Sequence, residues 1–149
     1  MTALKYIHVL LAIIAVGANV TYGVWMGRAK QQPEHLDFAL RGVKFIDDYV
    51  ANPAYVLLPL TGITLMWRDG YTFDNAHWAG TALILWVVLA VVAIGFYSPT
   101  LRNQIKTLGA EGPGSVALKR LETRSQALGG LLGLIALVIV YLMTAKPTL

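Results

Sequence analysis

Four apolar stretches, Leu4–Trp25, Val50–Trp67, His77–Tyr97 and Ala127–Ala145, occupy about half of this 149-residue chain and are separated by charged connectors. Each is close to the roughly 20 residues that a helix needs to cross a bilayer core. With 56% hydrophobic and 13% charged residues, the composition is not that of a soluble globular domain. The connectors are too short to fold separately, so residues 1–149 read as one domain. The expected fold is an all-α membrane protein, a four-transmembrane-helix bundle with amphipathic cytoplasmic connector helices.

The distribution of charge orients this bundle. Nine of the twelve basic residues lie in two connectors: Arg28, Lys30, Arg41 and Lys44 in the first, and Arg102, Lys106, Lys119, Arg120 and Arg124 in the third. Lys5, Arg68 and Lys146 fall on the opposite side. Basic residues concentrate in cytoplasmic loops. The expected placement is therefore a bacterial inner membrane, with connectors 26–49 and 98–126 in the cytoplasm and both termini outside. The first stretch has Lys5 and a small-residue run, Ala15–Ala18, like a signal peptide, but its apolar character continues to Val24, so it reads as a retained span. The formal charge of +4 belongs to span-flanking connectors, a pattern suited to anionic lipid. No basic stripe interleaves with aromatics as nucleic-acid binding would require. The partners implied are the lipid bilayer and either copies of the chain or a larger membrane complex, and no nucleic acid.

Between the first two spans, Leu36, Phe38, Ala39, Leu40, Val43, Phe45 and Ile46 recur at helical spacing among charges, with Pro33 and Glu34 at the start. This helix either rides the membrane surface or extends the second span. The third connector divides into Thr100–Leu108 and Ser115–Gln126 at the turn-forming run Gly109–Gly114. Asp74 or Asn75 is placed to cap the third span. Tyr22, Trp25, Tyr49, Tyr55, Phe96 and Tyr97 mark one interface, and Tyr6, Trp67, Tyr71, Phe73, Trp78 and Tyr141 the other. Pro53 and Pro59 predict a kink in the second span. Gly129 and Gly133 form a GxxxG pair suited to close helix packing or oligomerisation.

The chain has no cysteine, which removes disulfides, thiolate metal sites and iron–sulfur clusters. No nucleophile–base set and no HExxH motif is present. Enzymatic activity would therefore rest on a cofactor. His8 lies on the face of the first span that carries Ala12, Ala15, Asn19 and Tyr22, and His77 begins the third span. Both fall at the outer interface, on different helices. Two imidazoles facing each other across a bundle suit bis-histidine haem b, or equally a copper ion. Either histidine could instead hydrogen-bond to headgroups or a carbonyl. Asn19, in mid-span, stands with them as a cofactor-site candidate, an interhelical hydrogen bond being the simpler role. His35 reads as solvated, and Asp47 and Asp48 as a solvated helix end that could also pair with Arg41 or Lys44. No other metal site is expected.

The opening Lys5-Tyr6-Ile7-His8, the second span with Pro53 and Pro59-Leu60-Thr61-Gly62, the third span from Trp78 to Tyr97-Ser98-Pro99-Thr100-Leu101-Arg102, and the closing Met143-Thr144-Ala145-Lys146-Pro147 carry a resemblance over nearly the whole chain. The chain resembles an uncharacterised bacterial family of four-span predicted integral membrane proteins, from which no activity carries over. More distantly, the first span is similar to that of CopD-like and HemJ-like membrane proteins, which open Lys-x-x-His. Lys5 and His8 match that opening. In the HemJ-like protoporphyrinogen oxidases this histidine is implicated in haem or porphyrin binding. Those oxidases carry a lysine a few residues after a tryptophan in the third span, where here Trp78 is followed by Ala79-Gly80-Thr81-Ala82-Leu83. The resemblance implies haem binding through His8 without implying oxidase activity. The functional expectation is haem b near the outer face, for electron transfer or porphyrin handling. The alternative is a cofactor-free accessory or structural subunit of a larger membrane complex or a homo-oligomer.

Overall fold

Hydrocarbon offers the backbone no hydrogen-bond partners, so a chain of apolar stretches must satisfy its amides internally, within helices. The computed structural model describes residues 2–147, and among them the chain forms helices and turns and no strand. The helices are α1 (Thr2–Gln31), α2 (Leu36–Ile46), α3 (Asn52–Arg68), α4 (His77–Val92), α5 (Ser98–Glu111) and α6 (Val116–Ala145). A widened π turn, Asp47–Ala51, joins α2 to α3, and another, Ala93–Tyr97, joins α4 to α5. The result is four unbroken helical segments, each long and apolar enough to cross a membrane: Ala3–Gln31, Pro33–Arg68, His77–Glu111 and Val116–Ala145. Every apolar stretch seen in the sequence lies inside one of them. The connector helices continue the spans, which settles the alternative posed for the first connector.

Both π turns have the same local cause. Each is followed two residues later by a proline, Pro53 or Pro99. Proline has no N–H to donate, and its ring crowds the carbonyl four residues back. The wider turn accommodates that ring: Asn52 N–H bonds to the Asp47 carbonyl and Ser98 N–H to that of Ala93, each one residue further back than in an α-helix. The sequence expectation of a kink bracketed by Pro53 and Pro59 thus resolves into one π turn before Pro53, while Pro59 sits inside α3. The Thr61 and Thr64 hydroxyls, just beyond Pro59, donate back to the carbonyls of Leu57, Leu58 and Leu60.

The turns between segments are tight. Gln32 leads into a single 3₁₀ turn, Pro33–His35, with proline where a missing donor is harmless. At the end of α3, Gly70 adopts φ +76°, Tyr71 N–H bonds to the Met66 carbonyl (2.9 Å) and Gly70 N–H to that of Trp67 (3.3 Å). That pairing is a Schellman motif, accompanied by the packing of Tyr71 against the cluster of Met66, Ala76 and Ala79. The expected cap of the third span is corrected: the N-cap is Ala76, and Asn75 Oδ1 instead accepts the Thr72 N–H at 2.7 Å. The Gly/Pro run closes to Gly112–Ser115, because α5 continues through Gly109 to Glu111; Ser115 then caps α6 by accepting the Leu118 N–H.

In the bundle, α1 packs on α3 and α6, α6 on α4, and α4 only lightly on α3. Beyond the apolar spans, α2 and α5 pack together and α5 packs on α6. This is where burial is most complete, with Leu40, Val43, Leu101 and Leu118 at most 1% exposed. The spans keep a broad apolar outer face, including Ile13, Leu60, Ile84 and Leu137. Tyr22, Tyr55 and Tyr97, read as interfacial aromatics, are instead turned into the core. Gly129 of the GxxxG pair backs onto the Tyr97 ring, so that position serves packing within the chain. Leu101→Ala should destabilise the protein by about 2–5 kcal/mol, the cost of a cavity where the connector helices meet. Denaturation of the detergent-solubilised protein, followed by circular dichroism, measures it.

Candidate functional site

His8 sits on the inward stripe of α1 because its spacing to Ala15, Ala18 and Tyr22, all buried, follows the helical repeat. The ring is half-buried and fits against α3. Its Nδ1 lies 2.8 Å from Thr61 Oγ1, and a Cβ added at Gly62 would come within 3.1 Å of Cε1. Thr61 directs its single hydroxyl proton to the carbonyls of Leu57 and Leu58, both at 3.0 Å. With that proton on the backbone, its oxygen is free to accept from His8 Nδ1, and the tautomer that donates there carries its lone pair on Nε2. Thr61 orients the imidazole, and Gly62 leaves it room.

His77, the first residue of α4, is exposed at the same end of the bundle. It precedes Trp78, whose ring meets Tyr71 edge-on at 5.8 Å, and Lys146 Nζ lies 5.2 Å from the centre of the Trp78 ring. The main neighbours of α1 are α2, α3 and α6, whereas α4 packs chiefly on α6. The two histidines thus share an end of the molecule but stand on helices that are not principal neighbours. Asn19 donates both amide hydrogens inside the bundle, to the Tyr55 hydroxyl at 2.8 Å and the Ala15 carbonyl at 3.0 Å, and so ties α1 to α3. His35 is exposed. Among the described residues no three His, Asp or Glu side chains gather to hold a bare metal ion.

A second polar centre lies where the end of α2 and the π turn after it meet the start of α5. Lys44, 8% exposed, donates to Ser98 Oγ at 2.9 Å, to Asp47 Oδ2 at 3.5 Å and to the Asp48 carboxylate. Asp47 is 1% exposed. The three protons of the ammonium therefore have three acceptors, two on its own helical segment and one on the other proline-bearing segment. Tyr22, Tyr55 and Tyr97 share the adjoining core, with Tyr22 stacked on Tyr97 at 5.9 Å. The expectation of a solvated helix end is corrected for Asp47, which is buried with Lys44, while Asp48 is exposed. Of the two cations considered, Lys44 takes both carboxylates, and Arg41 pairs with Asp37 at 2.8 Å on the exposed face. The signal for that burial was present: Leu36, Leu40, Val43, Lys44 and Asp47 recur at three- and four-residue intervals, placing both charges on the apolar stripe.

Removing one partner of a buried pair leaves the other charge uncompensated, at about 3–5 kcal/mol. Lys44→Met should therefore lower the unfolding midpoint sharply, and Lys44→Met combined with Asp47→Leu should recover most of the loss. A single variant as stable as the unsubstituted protein would show that the pair does not hold the segments together.

No curated protein and no solved structure matches the chain. One family model does, over residues 2–147, and it is described as "Predicted integral membrane protein (DUF2269)". Four apolar helices and a match across nearly the whole length agree, and the chain belongs to that family of integral membrane proteins.

Proposed function

We propose that this integral membrane protein binds a b-type haem near the end of the bundle that holds the chain termini, with His8 Nε2 as an axial ligand, for electron transfer or porphyrin handling. The observation that supports the reading is the His8–Thr61–Gly62 arrangement. A ligating imidazole usually has its other ring nitrogen hydrogen-bonded, which sets the tautomer and the ring direction. His8 has that hydrogen bond, made by a hydroxyl whose own proton is committed to the helix backbone. His77, at the same end on α4, is the candidate for the second axial position, supplied by the same chain or by a second copy. Asn19 lines the inward stripe deeper in the membrane. A bound haem would supply a one-electron couple tuned by its axial ligands and its dry surroundings. The bias of basic residues toward the connectors supports a bacterial inner membrane, with the termini outside and the connectors in the cytoplasm.

The test is an absorption spectrum of protein expressed with haem supplementation, oxidised and then reduced with dithionite. A Soret band, with α and β bands that sharpen on reduction, is expected, and His8→Ala should abolish it. Thr61→Val keeps the ligand but removes its orienting partner, and should weaken haem retention about 10–100-fold. Gly62→Ala should displace the ring and shift the Soret maximum. A featureless spectrum would overturn the haem reading. It would leave the alternative, a cofactor-free subunit of a larger membrane complex or homo-oligomer, to be sought by mild-detergent pull-down.

A further inference from the structure

We propose that the groove between the end of α1 and the start of α2 binds an anionic phospholipid, its phosphate held by Arg28 and His35 and its acyl chain lying along Val24 and Trp25. The groove has a volume of about 450 Å³, within the usual range for a small-molecule site. Its lining is divided by chemistry. Val24, Trp25 and Phe38 give it an apolar wall, and Arg28, Gln32 and His35 give it a rim of hydrogen-bonding groups without a carboxylate. The rim is built on rigid backbone: Gln32 N–H bonds to the Ala29 carbonyl at 3.2 Å and His35 N–H to that of Gln32 at 2.9 Å, across the Pro33 turn. Arg28 makes no ion pair among the described residues, and the nearby Asp37 is held by Arg41.

Charge complementarity selects the occupant. A guanidinium without a carboxylate partner matches a phosphodiester in shape and charge. Trp25 is 47% exposed and Phe38 is 72% exposed, so the apolar wall faces outward, where acyl chains lie. Tryptophan is enriched at the headgroup level, which puts the phosphate at the depth of Arg28, one helical turn further along α1. A soluble anion would use the rim and leave the aromatic wall uncovered. A phospholipid uses both. The groove lies at the opposite end of α1 from His8, and this inference is independent of the haem reading.

The test uses Trp25 as reporter, in a variant carrying Trp67→Phe, Trp78→Phe and Trp86→Phe, reconstituted in phosphatidylcholine vesicles. A minor fraction of brominated phosphatidylglycerol, or the same fraction of brominated phosphatidylcholine, is included as quencher. Trp25 should report an apparent association about fivefold tighter for phosphatidylglycerol, the enrichment expected from one basic residue at the membrane surface. Arg28→Gln with His35→Gln should remove that preference. Equal quenching by the two lipids would overturn the proposal. If the tryptophan variant does not fold, native mass spectrometry of the unsubstituted protein decides the same point. Phosphatidylglycerol retained in excess over phosphatidylcholine, and lost in Arg28→Gln, supports the site; equal retention overturns it.

Discussion

Two prolines that cannot donate a hydrogen bond determine how the two central segments meet. Pro53 and Pro99 each follow a π turn, and each turn adjoins one of two helices, α2 and α5, that pack together and are joined from Lys44 to Ser98 at 2.9 Å. A π turn carries an extra residue, so it changes which side chains beyond it face the core. At Asp47–Ala51 this change lets α3 present Ala54 and Tyr55 inward while α2 presents Leu40, Val43 and Lys44. The Lys44 ammonium then links the two segments through polar acceptors at the point where their apolar packing changes register. An ion pair in this position contributes little net energy beyond its desolvation cost. Its consequence is geometric: a slip of one segment against the other would leave Asp47 buried without its cation.

The spans were legible because hydropathy and length are strong signals, and each apolar stretch from Leu4–Trp25 to Ala127–Ala145 falls within a helix. The direction in which aromatic residues point was not legible. Tyr22, Tyr55 and Tyr97 have the composition of an interfacial belt but turn inward, because Asn19 offers Tyr55 a hydrogen bond and Tyr22 and Tyr97 offer each other a stacking face. Hydropathy reports that a tyrosine prefers a boundary and does not say whether that boundary is lipid–water or an internal polar centre. Asn75 shows the same limit at short range. Its side chain suits a cap, but it accepts the Thr72 N–H inside the loop and Ala76 takes the N-cap position. Of the histidines, spacing placed His8 on the inner stripe, whereas its partner Thr61 lies 53 residues away and is set by the packing of α1 on α3.

The bundle sorts its polar chemistry by depth. At the end holding the termini, His8 is held by a threonine whose hydroxyl would otherwise only satisfy its own helix, and Gly62 omits the side chain that would crowd the ring. In mid-span the polar contact is Asn19 with Tyr55, a clasp in which both Asn19 amide hydrogens are used. Deeper toward the connectors come the buried charges. A lone asparagine in hydrocarbon is tolerable when both its donors are engaged. A lysine and an aspartate need each other as well as a dipolar third partner, which Ser98 supplies.

That ordering explains the unusual character of α2. Its buried face carries Lys44, whose partner Asp47 follows in the π turn, while Phe38 and Phe45 on its outer face and Tyr49 of that turn are exposed by 72%, 60% and 70%. Phe45 and Tyr49 lie one turn apart with ring centres 4.9 Å from each other and form a short exposed aromatic stripe. Such a stripe is costly in water and stable where rings lie among lipid headgroups. Arg41 and Asp37 pair on the same exposed side, keeping charge within reach of the aqueous phase. The inner face is the ordinary apolar stripe of Leu36, Ala39, Leu40 and Val43, with Lys44 held among them. A helix that is apolar inside and aromatic outside suits surroundings at the membrane interface. The lipid contact of the second segment then continues from the apolar span through the π turn and onto α2, where Phe38 meets Trp25 across the groove at the end of α1.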